Sequence, residues 1–208
     1  MIAISAAARQ TPAPAVVLDR IVASIGGIPI ARSDVVREYR LETFLSSGRV
    51  PASAPSGAAL QNAQSRLIDQ RLLETELPAY NDHRAAAQRN AARRMAALRS
   101  RFDSPQLFQA ALHELGMSES ELSRRLERQD EILEMINERL RPSASVTPGE
   151  VGDYYRERLL PAYKGKGEAP PLPEVQSKIK EILVQKKMNQ LLDKWLAHLR
   201  REHHVELL

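Results

Sequence analysis

Through most of the chain, apolar residues recur every three or four positions, the spacing of amphipathic α-helices. The longest stripe lies near the C-terminus and consists of Val175, Ile179, Ile182, Leu183, Leu191, Leu192, Trp195, Leu196 and Leu199. Lys178, Lys180, Lys186, Lys187, Lys194 and Arg200 lie mostly off it. No Gly or Pro interrupts positions 174–203, so this stretch predicts one helix of about 30 residues, about 45 Å long. Several other segments must pack along a helix of that length. Val205, Glu206, Leu207 and Leu208 then change period and fit a strand better than a further turn. Two more short apolar runs, at 20–25 and 28–31, flank Gly26-Gly27. Gly-Gly tolerates the positive φ angles of a two-residue hairpin turn. Pro29 cannot donate to a ladder, which confines its strand to an edge. A lone hairpin is marginal, so the C-terminal strand is expected to complete a small sheet and tie the chain's ends together.

Between these ends the pattern is helical. Ser33-Asp34 predicts a helix start, with Ser33 as N-cap, and Val35, Val36, Tyr39 and Phe44 follow. Positions 46–57 read as a loop. Positions 58–80 predict a second helix burying Leu60, Leu67, Ile68, Leu72, Leu73 and Leu77, with Pro78 ending or kinking it. Positions 82–102 combine many alanines with Arg84, Arg89, Arg93, Arg94, Arg99 and Arg101, all strong helix formers, and carry a narrow apolar edge of Met95, Leu98 and Phe102. Ser104-Pro105 starts the next helix, and Gly116 caps its end. Ser118 and Glu121 form a capping box, and the helix it opens presents Leu122, Leu126, Leu133, Ile136 and Leu140. Thr147 and Glu150 form a second box, opening a short helix through Tyr154 and Tyr155. Positions 164–171 are a linker into the final helix. The expected fold is mainly α, with a small antiparallel sheet made of the N-terminal hairpin and the C-terminal strand.

Composition narrows the chemistry. The 208 residues contain no cysteine, which excludes disulfides and thiolate or Cys–metal chemistry. Thirty Lys and Arg against 26 Asp and Glu give a net charge of +4. With both signs interleaved, that charge does not by itself imply nucleic acid. No apolar run approaches the roughly 20 residues of a membrane span. Residues 1–18 are rich in Ala and Pro. Positions 2–8 read either as the tail of a signal peptide, with Ala6 and Ala8 at its cleavage site and the true start upstream, or as a disordered tail. The five histidines include no HExxH pattern, and His203-His204, adjacent on an extended strand, would face opposite ways. There is no GxSxG and no glycine-rich phosphate loop. No cofactor, metal site or catalytic residue is expected.

Three stretches together resemble a known family. Positions 19–34, DRIVASIGGIPIARSD, pair an apolar strand and a tight turn with a helix start. Positions 108–155 place a Leu-Gly-Met helix end before a capped Leu-rich helix, and then VTPGEV and Tyr154-Tyr155. The final helix carries Asn189, Trp195, Leu196, Leu199 and Arg200 ahead of its apolar tail. In this order they resemble the SurA-type periplasmic chaperones. That family usually inserts one or two parvulin-type isomerase domains between the Tyr-Tyr helix and the long final helix. Here only positions 160–172 separate the two, which is too short for such a domain. The resemblance therefore implies the chaperone core without the enzyme. Residues 19–146 would form the hairpin and helical chaperone domain, and 147–208 would complete the same core.

The activity implied is that of a holdase, ATP-independent and periplasmic. It would bind unfolded client polypeptides, outer-membrane β-barrel precursors foremost. Dimerisation is left open. Such binding needs an accessible apolar groove that tolerates many sequences. Met95, Phe102, Phe108, Met117 and Met135 are the adaptable residues expected to line it, with plain core packing the competing role for each. The arginine helix could meet nucleic-acid phosphates, or acidic client segments and membrane surface, or simply be a solvated face. No nucleic-acid recognition signature accompanies it. The alternative function is a basic helical adaptor, cytoplasmic, for nucleic acid or one protein partner.

Overall fold

The computed structural model describes residues 19–79, 84–164 and 167–208. The tail at 1–18 lies outside them, as do Tyr80 to His83 at the junction expected to be helical and two positions of the linker. Within the described residues the fold is mainly helical with one small antiparallel sheet. Strand β1 (Ile21–Ile25) pairs with β2 (Ile28–Ala31) across Gly26 and Gly27, whose φ angles of 56° and 81° are those that glycine adopts without strain. β3 (Glu206–Leu207) lies on the other side of β1, giving the order β2-β1-β3. The expected closure of the chain's ends is present. It is reinforced by Gly26 N–H donating to the His203 carbonyl at 2.7 Å and Leu208 N–H donating to the Val22 carbonyl at 3.0 Å.

The strand itself is shorter than positions 205–208. His203 and His204 sit in the turn that ends the long helix, with His204 at φ 47°, not on an extended strand as the sequence suggested.

Helices α1 (Arg32–Ser47), α2 (Gly57–Glu76), α3 (Arg84–Arg99), α4 (Pro105–Leu115), α5 (Glu119–Leu140), α6 (Pro148–Tyr154), α7 (Leu160–Tyr163) and α8 (Leu172–Glu202) follow. Single 3-10 turns extend α2 over Leu77–Ala79 and α5 over Arg141–Ser143, and a wider π turn over Tyr155–Leu159 joins α6 to α7. The caps read from the sequence are made at Ser104, at Ser118 with Glu121, and at Thr147 with Glu150. The start of α1 is different. Ala31 is its N-cap, and its N–H donates to the Asp34 carboxylate at 3.1 Å. Ser33 lies inside the first turn and donates its N–H to Asp19 at 3.3 Å.

Two apolar cores result. One gathers the sheet, α2, the C-terminal half of α5 and the C-terminal half of α8 around Ile30, Ile68, Leu72, Met135, Trp195 and Leu199. The other gathers α1, α3, α4 and the N-terminal half of α5 around Phe44, Phe108, Leu112, Leu122 and Leu126. Helices α1 and α5 contribute to both, α1 through Val35 to the first and through Leu41 and Phe44 to the second. Two residues of the expected stripes point outward: Leu133 is 54% exposed and Ile182 is 43% exposed. On α5 the neighbouring Ile132 and Met135 are buried instead, because α5 has α3 on one side and α2 and α8 on others.

The N-terminal half of α8 is held mainly by α6. Lys187 Nζ donates to the Ser145 carbonyl at 2.6 Å and meets Glu150 Oε1 at 2.7 Å. The Lys187 ammonium, with hydrogen bonds from Thr147, pulls the Glu150 carboxyl from its ordinary value near 4.5 down to about 2. A depressed folded value stabilises the fold above the unfolded value, and that contribution is lost as pH falls from about 4.5 through about 2. In a carboxyl NMR titration, Glu150 is expected to have its midpoint near 2 and to move back up in Lys187→Met. An unchanged midpoint in that variant would mean that the contact is absent in solution.

Candidate client-binding surface

The five residues expected to line one groove are divided between the two cores. Met135 is fully buried in the core that includes the sheet. Met95 and Phe108 are buried in the other, where Phe102 and Met117 are half-buried at its margin. Phe44, Phe102 and Phe108 form an aromatic cluster. Phe102 meets Phe108 edge-on at 5.4 Å, and the Phe44 ring lies 6.0 Å from Phe102 and 6.4 Å from Phe108. Such pairs add to area burial. Phe102 and Phe108 also border a hollow of about 530 Å³ between the end of α3 and the start of α4. Met117 borders a different one, of about 320 Å³, between α1, α2 and α5. A single Met- and Phe-lined groove is therefore not what the fold builds. Core packing, the competing role, describes where Met95, Phe108 and Met135 sit.

The second hollow is polar at its base. Glu38, 8% exposed, is on the inward face of α1 between Val35 and Leu41. Arg125 Nη2 donates to both Glu38 oxygens at 2.7 and 2.6 Å, and also to Gln70. Arg125 Nη1 is 3.6 Å from Glu74. Asp34 links to Arg37 at 3.1 Å and Arg71 at 3.8 Å, and Glu42 accepts from Arg66 Nε at 2.6 Å. A charged seam thus runs between the two apolar cores, joining α1, α2 and α5. Glu38 is not among the candidate residues read from the sequence. Its signal was positional, since Val35, Glu38 and Leu41 recur every third residue and share a face.

The arginines of α3 have mostly found partners. Arg94 reaches Asp130 at 2.8 Å and Gln129 at 3.0 Å, and Arg99 pairs with Glu119. Arg84 lies 3.8 Å from Glu131. Beyond the helix end, Arg101 Nη1 donates to the carbonyls of Leu45 and Ser46 at 3.1 and 3.2 Å, acceptors that the end of α1 leaves without helical partners. The basic run is therefore largely a set of clasps from α3 onto α5 and α1.

Exposed apolar side chains include Leu107 on α4 and Leu133 on α5, and others lie outside these helices. On the sheet they are Ile21, Ile28, Leu207 and Leu208, and in the C-terminal part Leu160, Tyr163 and Ile182. Ile182, Val184 and Met188 line a shallow hollow of about 490 Å³ where α8 passes the turn after α5, together with Arg141, Lys180, Glu181 and Gln185. Among the described residues no group of three or more His, Asp or Glu side chains has metal-binding geometry, and no helix is long and apolar enough to cross a membrane. Compared with family models, curated proteins and solved structures, the chain matches none.

Proposed function

We propose that this chain is a SurA-type chaperone core, an ATP-independent periplasmic holdase without isomerase activity. Its clients are unfolded exported polypeptides, outer-membrane β-barrel precursors among them. The observation that carries the reading is the three-stranded sheet. It joins the N-terminal hairpin to the end of the long helix around one helical body, in the order the resemblance implies. The connection from α7 to α8 is short, with no intervening domain. A holdase also needs apolar surface that water reaches, and Leu160, Tyr163, Ile182 and the outer residues of the sheet offer it. The exposed patch on α8 mixes Ile182, Val184 and Met188 with Arg141, Lys180, Glu181 and Gln185, and such mixed, shallow surfaces suit clients of varied sequence. The competing reading, a basic adaptor for nucleic acid or one protein partner, draws less support, because Arg84, Arg94 and Arg99 of α3 are engaged by Glu131, Asp130 and Glu119, and Arg101 just beyond it by backbone carbonyls.

The test is light scattering of a urea-unfolded outer-membrane β-barrel protein diluted into buffer with and without this chain. Suppression of aggregation near stoichiometric amounts, retained at moderate salt, is the expected result. Suppression lost at moderate salt would move the explanation from apolar contact to charge. No suppression at any ratio would overturn the chaperone reading.

A further inference from the structure

One group of arginines lies beside the start of α1, away from the clasps of α3. We propose that the hollow there binds carboxylates of an acidic polypeptide segment, with Arg20 and Arg32 as the principal donors. The inference deepens the chaperone reading and rests on it for the choice of a polypeptide as occupant.

The hollow has a volume of about 430 Å³, and Arg20, Arg32, Arg37 and Arg40 line it. Two of these are already drawn toward other groups. Arg37 pairs with Asp34 at 3.1 Å, and Arg40 donates to the Glu114 carbonyl at 3.0 Å. Arg20 and Arg32 are exposed, and among the described residues neither has a side-chain hydrogen bond or an ion pair. The lone acid of the lining is Asp19. Its carboxylate accepts from the Ser33 N–H, and hydrogen bonds from Ser33 hold its pKa below the ordinary value. Four guanidiniums thus line the hollow, and the carboxylates beside them, Asp19, Asp34 and Glu114, are already engaged.

The backbone of the helix end is not the attraction. The N–H groups of Ala31, Arg32 and Ser33 are taken by Asp34, the Arg20 carbonyl and Asp19. What is left to an incoming anion is the planar fork of the guanidinium, which matches a carboxylate in bidentate fashion. Val36 and Leu115 complete the wall. Apolar surface beside the cations suits a carboxylate carried on a side chain with apolar neighbours better than a bare inorganic ion. The arginines are gathered in one concavity, whereas a nucleic-acid backbone calls for a stripe of cations along its path.

The test is fluorescence anisotropy of the full chain with a labelled unstructured peptide alternating Glu and Leu, and with its Gln-for-Glu counterpart. The Glu peptide is expected to bind about tenfold more tightly, the scale of one or two charged hydrogen bonds. The double variant Arg20→Gln/Arg32→Gln is expected to lose that preference. Because both arginines are exposed and outside the ion-pair network, its melting temperature should match that of the parent chain. Equal binding of the two peptides by the parent chain would overturn the proposal, as would a preference surviving in the double variant. Displacement of the Glu peptide by millimolar inorganic phosphate, or tighter Arg20- and Arg32-dependent binding to phosphatidylglycerol vesicles, would assign the hollow to phosphate instead and overturn it too. The scattering assay separates the two levels. Discrimination between the peptides without suppression of aggregation leaves the hollow standing and removes the chaperone. Suppression without discrimination does the reverse.

Discussion

Arg125→Met is expected to destabilise the protein by about 3–5 kcal/mol, the usual cost of stranding one member of a buried ion pair. Arg125 is 19% exposed and Glu38 is 9% exposed as side chains, and the guanidinium grips both carboxylate oxygens. Methionine keeps much of the stem but none of the charge. Glu38 would then be left between Val35 and Leu41 without its Arg125 partner. For a domain of this size the loss corresponds to a fall in melting temperature of about 10 °C. The double variant Glu38→Leu/Arg125→Met is expected to recover most of it. Replacing a whole buried pair by apolar residues is often neutral or better, and the Nε of Arg125, buried with no hydrogen-bond partner, already counts against the native arrangement. Thermal and urea unfolding of the four proteins gives the coupling energy directly. If the two single losses simply add in the double variant, the pair is not coupled and the seam does not join the cores.

The same pair shows where sequence reading stops. Caps were legible because they are local. Ser118 with Glu121, and Thr147 with Glu150, lie three residues apart and need only their own backbone. The sheet was legible as well, because a hairpin and a terminal apolar run each required a neighbour. At α1 the pattern misled by two residues, since Asp34 caps from inside the helix and Asp19, fourteen positions earlier, accepts the N–H of Ser33. The arginine run read as a solvated or ligand-binding face because nothing in its own sequence records that Glu119, Asp130 and Glu131 stand across from it on α5. Periodicity likewise marks a face without saying whether another element covers all of it. Ile182 belongs to a regular stripe, but its end of α8 packs mainly on the short α6 and is left in water. The candidate site shared that weakness. Met and Phe are adaptable wherever they are, so their type alone could not separate an open groove from a closed core.

Phe108 makes that separation testable. Phe108→Ala is expected to cost about 3–5 kcal/mol, the transfer of a large ring plus the cavity it leaves. The ring is 2% exposed and stacks among Phe44 and Phe102, with the Arg99 guanidinium 6.0 Å from its centroid. Leu112 from the next turn of α4 and Leu122 and Leu126 from α5 pack into the same core, so the void cannot close by moving one loop. Phe108→Leu, which refills most of the volume, should lose much less, on the order of 1 kcal/mol. Unfolding curves check both. The decisive comparison is functional. Assayed well below the lower melting temperature in the scattering test of the proposed function, both variants should match the parent chain, because a buried ring offers no surface to a client. Suppression falling sharply in Phe108→Ala with the melting temperature almost unmoved would instead mean that the ring is reached by clients. The hollow between α3 and α4 would then be the binding site, and the aromatic cluster its lining rather than the centre of a closed core.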